Sequence, residues 1–89
     1  MKNIIQSNRF RRDYKLALKR QLNLEKLHEI IRLLAADAEL PERCKPHRLK
    51  GNYFGFWECH IEPDWLLIYK FEADVIELAA TGTHSDLFR

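Results

Sequence analysis

Apolar residues recur at helical spacing before Pro41, and after it they gather into short strand-like runs separated by turns. That division constrains the fold more than any other feature of the chain. Two helices placed together and followed by consecutive strands belong to the α+β class, with the helices packed on one face of an antiparallel sheet. With 89 residues there is room for one domain, spanning 1–89.

Asn3 to Gln6 reads as a short first strand, and Ser7 or Asn8 can cap the helix that follows. Phe10, Tyr14, Ala17 and Leu18 fall on its apolar face. The pattern resets at Gln21 to Asn23. Asn23 caps a second helix, whose stripe is Leu24, Leu27, Ile30, Ile31 and Leu34 and which ends near Asp37 to Leu40. A loop over 41–52 includes a short strand at His47 to Lys50. Strands are expected at Tyr53 to Ile61, Trp65 to Phe71 and Val75 to Thr81. Glu62-Pro63-Asp64-Trp65 is a turn, and His84 to Phe88 a last half-turn of helix.

Charge is uneven. Residues 1–22 carry seven Lys and Arg against Asp13 alone, and Arg43, Lys45, Arg48 and Lys50 form a second basic group beside His47. Such clusters suit a phosphate backbone as partner, or equally a solvated helix face. No apolar run approaches the ~20 residues that span a bilayer, and the charged beginning lacks a signal-peptide core, so a soluble cytoplasmic protein is expected. Cys44 and Cys59 read as unpaired thiols of a reducing compartment. A zinc site from Cys44, His47, Cys59 and His60 is disfavoured, because adjacent strand residues point to opposite faces. No metal or other cofactor is expected.

Three of the four histidines lie in the strand half, at His47, His60 and His84, and Asp64 occupies the turn after His60. Strict alternation puts Glu58 and His60 on one strand face and Trp57, Cys59 and Ile61 on the other. Singly, each polar residue is explained by packing or turn formation. Together they suggest an acid–base site, because histidine exchanges protons near neutral pH.

Three ordered segments carry a resemblance. His60-Ile61-Glu62-Pro63-Asp64-Trp65-Leu66-Leu67-Ile68-Tyr69-Lys70, the upstream His47-Arg48-Leu49-Lys50-Gly51 and the closing Gly82-Thr83-His84-Ser85-Asp86-Leu87-Phe88 resemble the motifs of YafQ-like toxins. These toxins are a branch of the RelE/ParE superfamily of bacterial type II toxin–antitoxin systems. The resemblance implies a microbial-ribonuclease-like fold and a ribosome-dependent endoribonuclease that cuts mRNA in the A site. It implies a cognate antitoxin as partner, with operator DNA bound only through the antitoxin complex. By motif position, His47, His60, Asp64 and His84 match the proton-handling set, and Trp65 and Phe88 match substrate-placing residues.

The chemistry needs a base for the 2′-OH, an acid for the leaving 5′-oxygen and positive charge for the phosphate. His84 is assigned as acid, with Asp64, His60 or His47 as base or orienter. Arg48, Lys50 and the rest of the 43–50 segment hold phosphates. One departure stands out: the family usually has arginine where this chain has Ala80. Either another cation, Lys50 or Arg89, takes its place, or Ala80 is a truncation that weakens the copy. In plain alternation Ala80 would be a core residue following Ile76 and Leu78. Two other readings share much of this pattern: a ParE-like toxin acting by protein binding, and a non-catalytic RNA-binding module. Neither requires the histidine–aspartate set.

Overall fold

The structure, a computed structural model, describes residues 1–88. Strand β1 (Asn3–Gln6) leads into helices α1 (Asn8–Lys19) and α2 (Leu24–Ala35). A 3-10 turn at Glu42–Cys44 precedes β2 (His47–Arg48). Strands β3 (Trp57–Glu62), β4 (Trp65–Glu72) and β5 (Val75–Gly82) then form a meander that ends in α3 (His84–Leu87). The sheet order is β1-β5-β4-β3-β2, with β1 parallel to β5 and the other pairs antiparallel. This is the α+β arrangement expected. Arg89 lies outside the described residues.

Local chemistry starts each helix as the sequence suggests. Ser7 accepts the backbone N–H of Phe10, and Asn23 accepts that of Glu25, so each cap satisfies a donor that the first turn leaves free. Phe10, Ala17, Leu27, Ile30 and Leu34 then bury against Cys59, Leu67, Tyr69, Ile76 and Leu78 on one sheet face. Leu18, expected on that face, is 59% exposed, because it falls at the edge of the stripe formed by Phe10, Tyr14 and Ala17.

The strand expected from Tyr53 begins only at Trp57. Gly51–Tyr53 form a 3-10 turn and Gly55 has φ +94°, a left-handed conformation that breaks an extended run. Phe54 consequently stands out in solvent, whereas Tyr53 and Phe56 fold onto the sheet.

Ile68 pairs with Ala80 and the next residue, Tyr69, pairs with Leu78, so Ala79 is an extra residue in β5. The bulge reverses the alternation. Ile76 and Leu78 face the helices, but Ala80 faces the opposite side, with Leu66, Ile68 and Leu87. Side chains at the start of α1 satisfy the backbone groups freed by the bulge: Ser7 Oγ donates to the Ala79 carbonyl (2.8 Å), and Asp13 accepts the Thr81 N–H (3.1 Å).

Candidate active site

The face away from α1 and α2 collects the titratable residues. Register places His47 opposite Glu58, His60 opposite Leu66 and Ala80 opposite Ile68, so these side chains share one side of the sheet. Helix α3 lies across that side and packs Leu87 on Leu66, Ile68 and Ala80. Its approach requires a glycine at 82, where a Cβ would come within 2.9 Å of Asp86 Cβ.

Helix α3 is short and is held by its surroundings. Thr83 and Asp86 form a capping box, each side chain accepting the other's backbone N–H. Arg20, the residue that ends α1, donates to both Asp86 oxygens, at 2.8 and 3.5 Å. Arg9 donates to the Asp86 carbonyl, and Tyr53 Oη donates to the Leu87 carbonyl. Part of the basic charge of α1 thus positions α3. Arg20, aided by the Thr83 N–H, holds the Asp86 carboxyl well below the usual carboxylate range. A lowered folded-state value means that the stabilisation is complete above the unfolded pKa, near ~4, and fades as the pH falls through the folded one. Thr83→Ala is expected to cost about 1 kcal/mol as a lost N-cap. Amide exchange in α3 should accelerate while exchange in β4 and β5 stays slow; equal acceleration in both would contradict a locally anchored α3.

At the first turn of α3, the His84 backbone N–H donates to Asp64 Oδ1 at 2.9 Å, and His84 Nδ1 meets the same oxygen at 2.6 Å. These two bonds, the backbone one first, lower the Asp64 pKa. An ionised carboxylate only accepts, so Nδ1 carries a proton and Nε2 of His84 is left for chemistry. The His60 ring lies edge-on to His84, with centroids 5.8 Å apart. His60 Nε2 is 3.7 Å from Glu58 Oε1, and His47 Nε2 is 3.3 Å from the same oxygen. The His47 ring is further oriented by the Lys45 carbonyl at 3.1 Å from Nδ1. His47, Glu58, His60, His84 and Asp64 therefore form one row, joined by polar contacts on either side of the edge-on contact between the His60 and His84 rings.

Glu58 is the member that motif reading passed over. It is 5% exposed, and a carboxylate so enclosed needs polar partners. The available signal was its alternation with His60 on an otherwise apolar strand.

Two expected substrate contacts are placed elsewhere. Trp65 is only 3% exposed and belongs to the helix-side core, with Nε1 donating to Thr81 Oγ1 at 2.9 Å. It has no free face for a base and supports the β4–β5 pair instead. Arg48 follows His47 on β2 and so points to the other side of the sheet, where its guanidinium lies 5.3 Å from the Trp57 ring centre. Lys50 is exposed just before the Gly51–Tyr53 turn. Phe88 is 41% exposed at the end of α3, edge-on to Tyr53, with ring surface available for stacking. Ala80 lies on the histidine side of the sheet but is 1% exposed beneath Leu87, so it is neither a surface position nor part of the core that packs α1 and α2.

Among known proteins, residues 2–89 match the model of a family described as the bacterial toxin of type II toxin–antitoxin system, YafQ. The mRNA interferase toxin YafQ of Escherichia coli K12 is 39% identical over 88 residues, covering 98% of this chain and 96% of that protein. The crystal structure of YafQ from E. coli BL21(DE3) superposes with a TM-score of 0.94 at 37% identity, covering 100% of both chains. The toxin in a crystal structure of the E. coli DinJ–YafQ toxin–antitoxin complex gives 0.90 at 38% identity, covering 99% of this chain and 98% of that one. With the family model, superposed fold and nearly full-length similarity in agreement, this chain belongs to the YafQ family of bacterial type II toxin–antitoxin toxins.

Proposed function

We propose that this chain is an mRNA interferase that cuts A-site message on the ribosome by transesterification. The observation that carries the reading is His84, its ring held by Asp64 through Nδ1 and set edge-on to the ring of His60. Asp64 already accepts two bonds from His84 and serves as the orienter. His60 is the base, steadied by Glu58, and His47 contacts the same carboxylate oxygen. His60 takes the 2′-OH proton, the 2′-oxygen attacks phosphorus, and His84 protonates the departing 5′-oxygen. The products are a 2′,3′-cyclic phosphate and a 5′-hydroxyl. Phe88 offers a stacking surface for a base, and the exposed Lys50 a cation for the backbone.

Addition of the protein to programmed ribosomes, followed by mapping and chemical typing of the mRNA ends, tests this reading. Cyclic-phosphate ends inside the A-site codon are expected. Intact message, or cleavage that survives loss of His84, rejects it.

The remaining partners follow from the same reading. A cognate antitoxin binds and blocks the toxin, and operator DNA is reached through that complex. The toxin acts in the cytoplasm, where the ribosomes are. Arg11, Arg12 and Lys15 are exposed on α1, unlike Arg9, which is tied to α3, and they contact ribosomal RNA through phosphates. Reversing all three charges is expected to weaken ribosome binding and flatten its salt dependence, with codon preference unchanged. A shifted codon preference in end mapping would contradict this division of roles.

A further inference from the structure

A cleft opens beside His60. Its volume is about 400 Å³, and its walls are Lys26, Arg43, Lys45, His60 and the Ile61–Pro63 turn. Three of these side chains are cationic. Lys26 is paired with Glu62 at 2.9 Å, which neutralises the one carboxylate in the wall. Arg43 and Lys45 make no ion pair among the described residues. The cleft therefore holds two uncompensated positive charges.

The backbone presents one of these cations at a cost. Lys45 has φ +45° and ψ +58°, left-handed values unusual for a residue with a side chain. Such strain persists only where the surroundings enforce it. Here the 3-10 turn at Glu42–Cys44 ends at Lys45, Cys44 is buried in the core, and the Lys45 carbonyl meets His47 Nδ1. One residue thus links the cationic wall to the histidine row. Arg48 and Lys50, the other cations of this basic segment, do not line the cleft.

We infer that Arg43 and Lys45 form a subsite for an RNA backbone phosphate that neighbours the scissile one, with His60 as the shared wall. This inference rests on the proposed ribonuclease reading and extends it by one nucleotide position. An anion bound there holds the strand on both sides of His60, so the 2′-OH is presented rather than merely nearby. His60 lines this cleft and also touches the His84 ring, and that shared position beside the proposed reacting groups favours a single strand of RNA over an acidic protein segment.

The test uses the full chain and a short 2′-fluoro RNA, which lacks the attacking hydroxyl. In the wild type, NMR titration is expected to shift the amides of Cys44, Lys45 and Ile61 together with those around His84. Replacing one internucleotide phosphate with a neutral methylphosphonate should abolish the first set of shifts and leave the second. The double variant Arg43→Gln, Lys45→Gln should show the same selective loss, and the salt slope of log K should fall by about 0.7, one single-strand phosphate contact. The inference is overturned if the wild type shows no shifts around Lys45, if every methylphosphonate acts alike, or if the double variant binds RNA unchanged, its charge then serving another partner. Cleavage on ribosomes remains a separate readout, so the ribonuclease reading can survive the failure of this subsite.

Discussion

His84→Ala is expected to lower single-turnover cleavage on programmed ribosomes by ~10²–10⁴-fold, more than any other single histidine change. The leaving 5′-oxygen is a poor alkoxide and needs a proton as it departs. Only His84 has its ring fixed by a carboxylate at 2.6 Å with the second nitrogen left over. The base is better buffered against loss, because His60, Glu58 and His47 lie in succession. His28→Ala is the control: that ring stacks on Tyr14 and bonds its hydroxyl, away from the cleft. If His84→Ala costs no more than His28→Ala, His84 is not the acid. Asp64→Asn should fall between them, since it leaves His84 in place but replaces an acceptor-only carboxylate with an uncharged amide whose NH2 can also donate to the ring.

Ala80→Arg is expected to raise cleavage by ~10²–10³-fold, the usual worth of one well-placed electrostatic stabiliser. A guanidinium can bond two phosphate oxygens at once, which a lysine ammonium cannot match in geometry. The bulge at Ala79 aims position 80 at the cleft side of the sheet, in the cross-strand row that contains Ile68 and Glu58. Burial beneath Leu87 means the new side chain must run its aliphatic stem past Leu66 and Ile68 before its head reaches the phosphate. Displacing Leu87 should cost about 1–3 kcal/mol, visible as a lower Tm. Growth arrest on induction, set beside cleavage on ribosomes and a melting curve, separates the outcomes. Unchanged cleavage in a folded protein would mean that another cation, such as Lys50, already serves the phosphate. Loss of folding would mean that the Leu87 packing cannot yield.

Much of the architecture was legible because it depends on local periodicity. The helical spacing of Phe10, Tyr14 and Ala17, the Ser7 and Asn23 caps, and the turn at Pro63-Asp64 are decided within a few residues of chain. So is the pairing of Glu58 with His60 on one strand face, which follows from alternation alone. The motif segments added the family, and with it the expectation that His47, His60, Asp64 and His84 lie together, as they do in the fold.

Tertiary structure decided what alternation could not. The extra residue at Ala79 exists because Ser7 and Asp13, more than sixty residues away, accept or supply the hydrogen bonds it frees, and no local pattern records that. It alone turns Ala80 from the helix side to the cleft. Trp65 and Arg48 carry suitable chemistry at suitable motif positions, but sheet parity sends one into the core and the other onto Trp57. Arg9 and Arg20 read as surface charge until α3 lands beside them and makes them its anchors. Sequence determined which residue types were available at each strand end and turn. Long-range packing determined which of them share one side of the sheet, because a side chain's direction depends on bulges and docked helices as well as on its own neighbours.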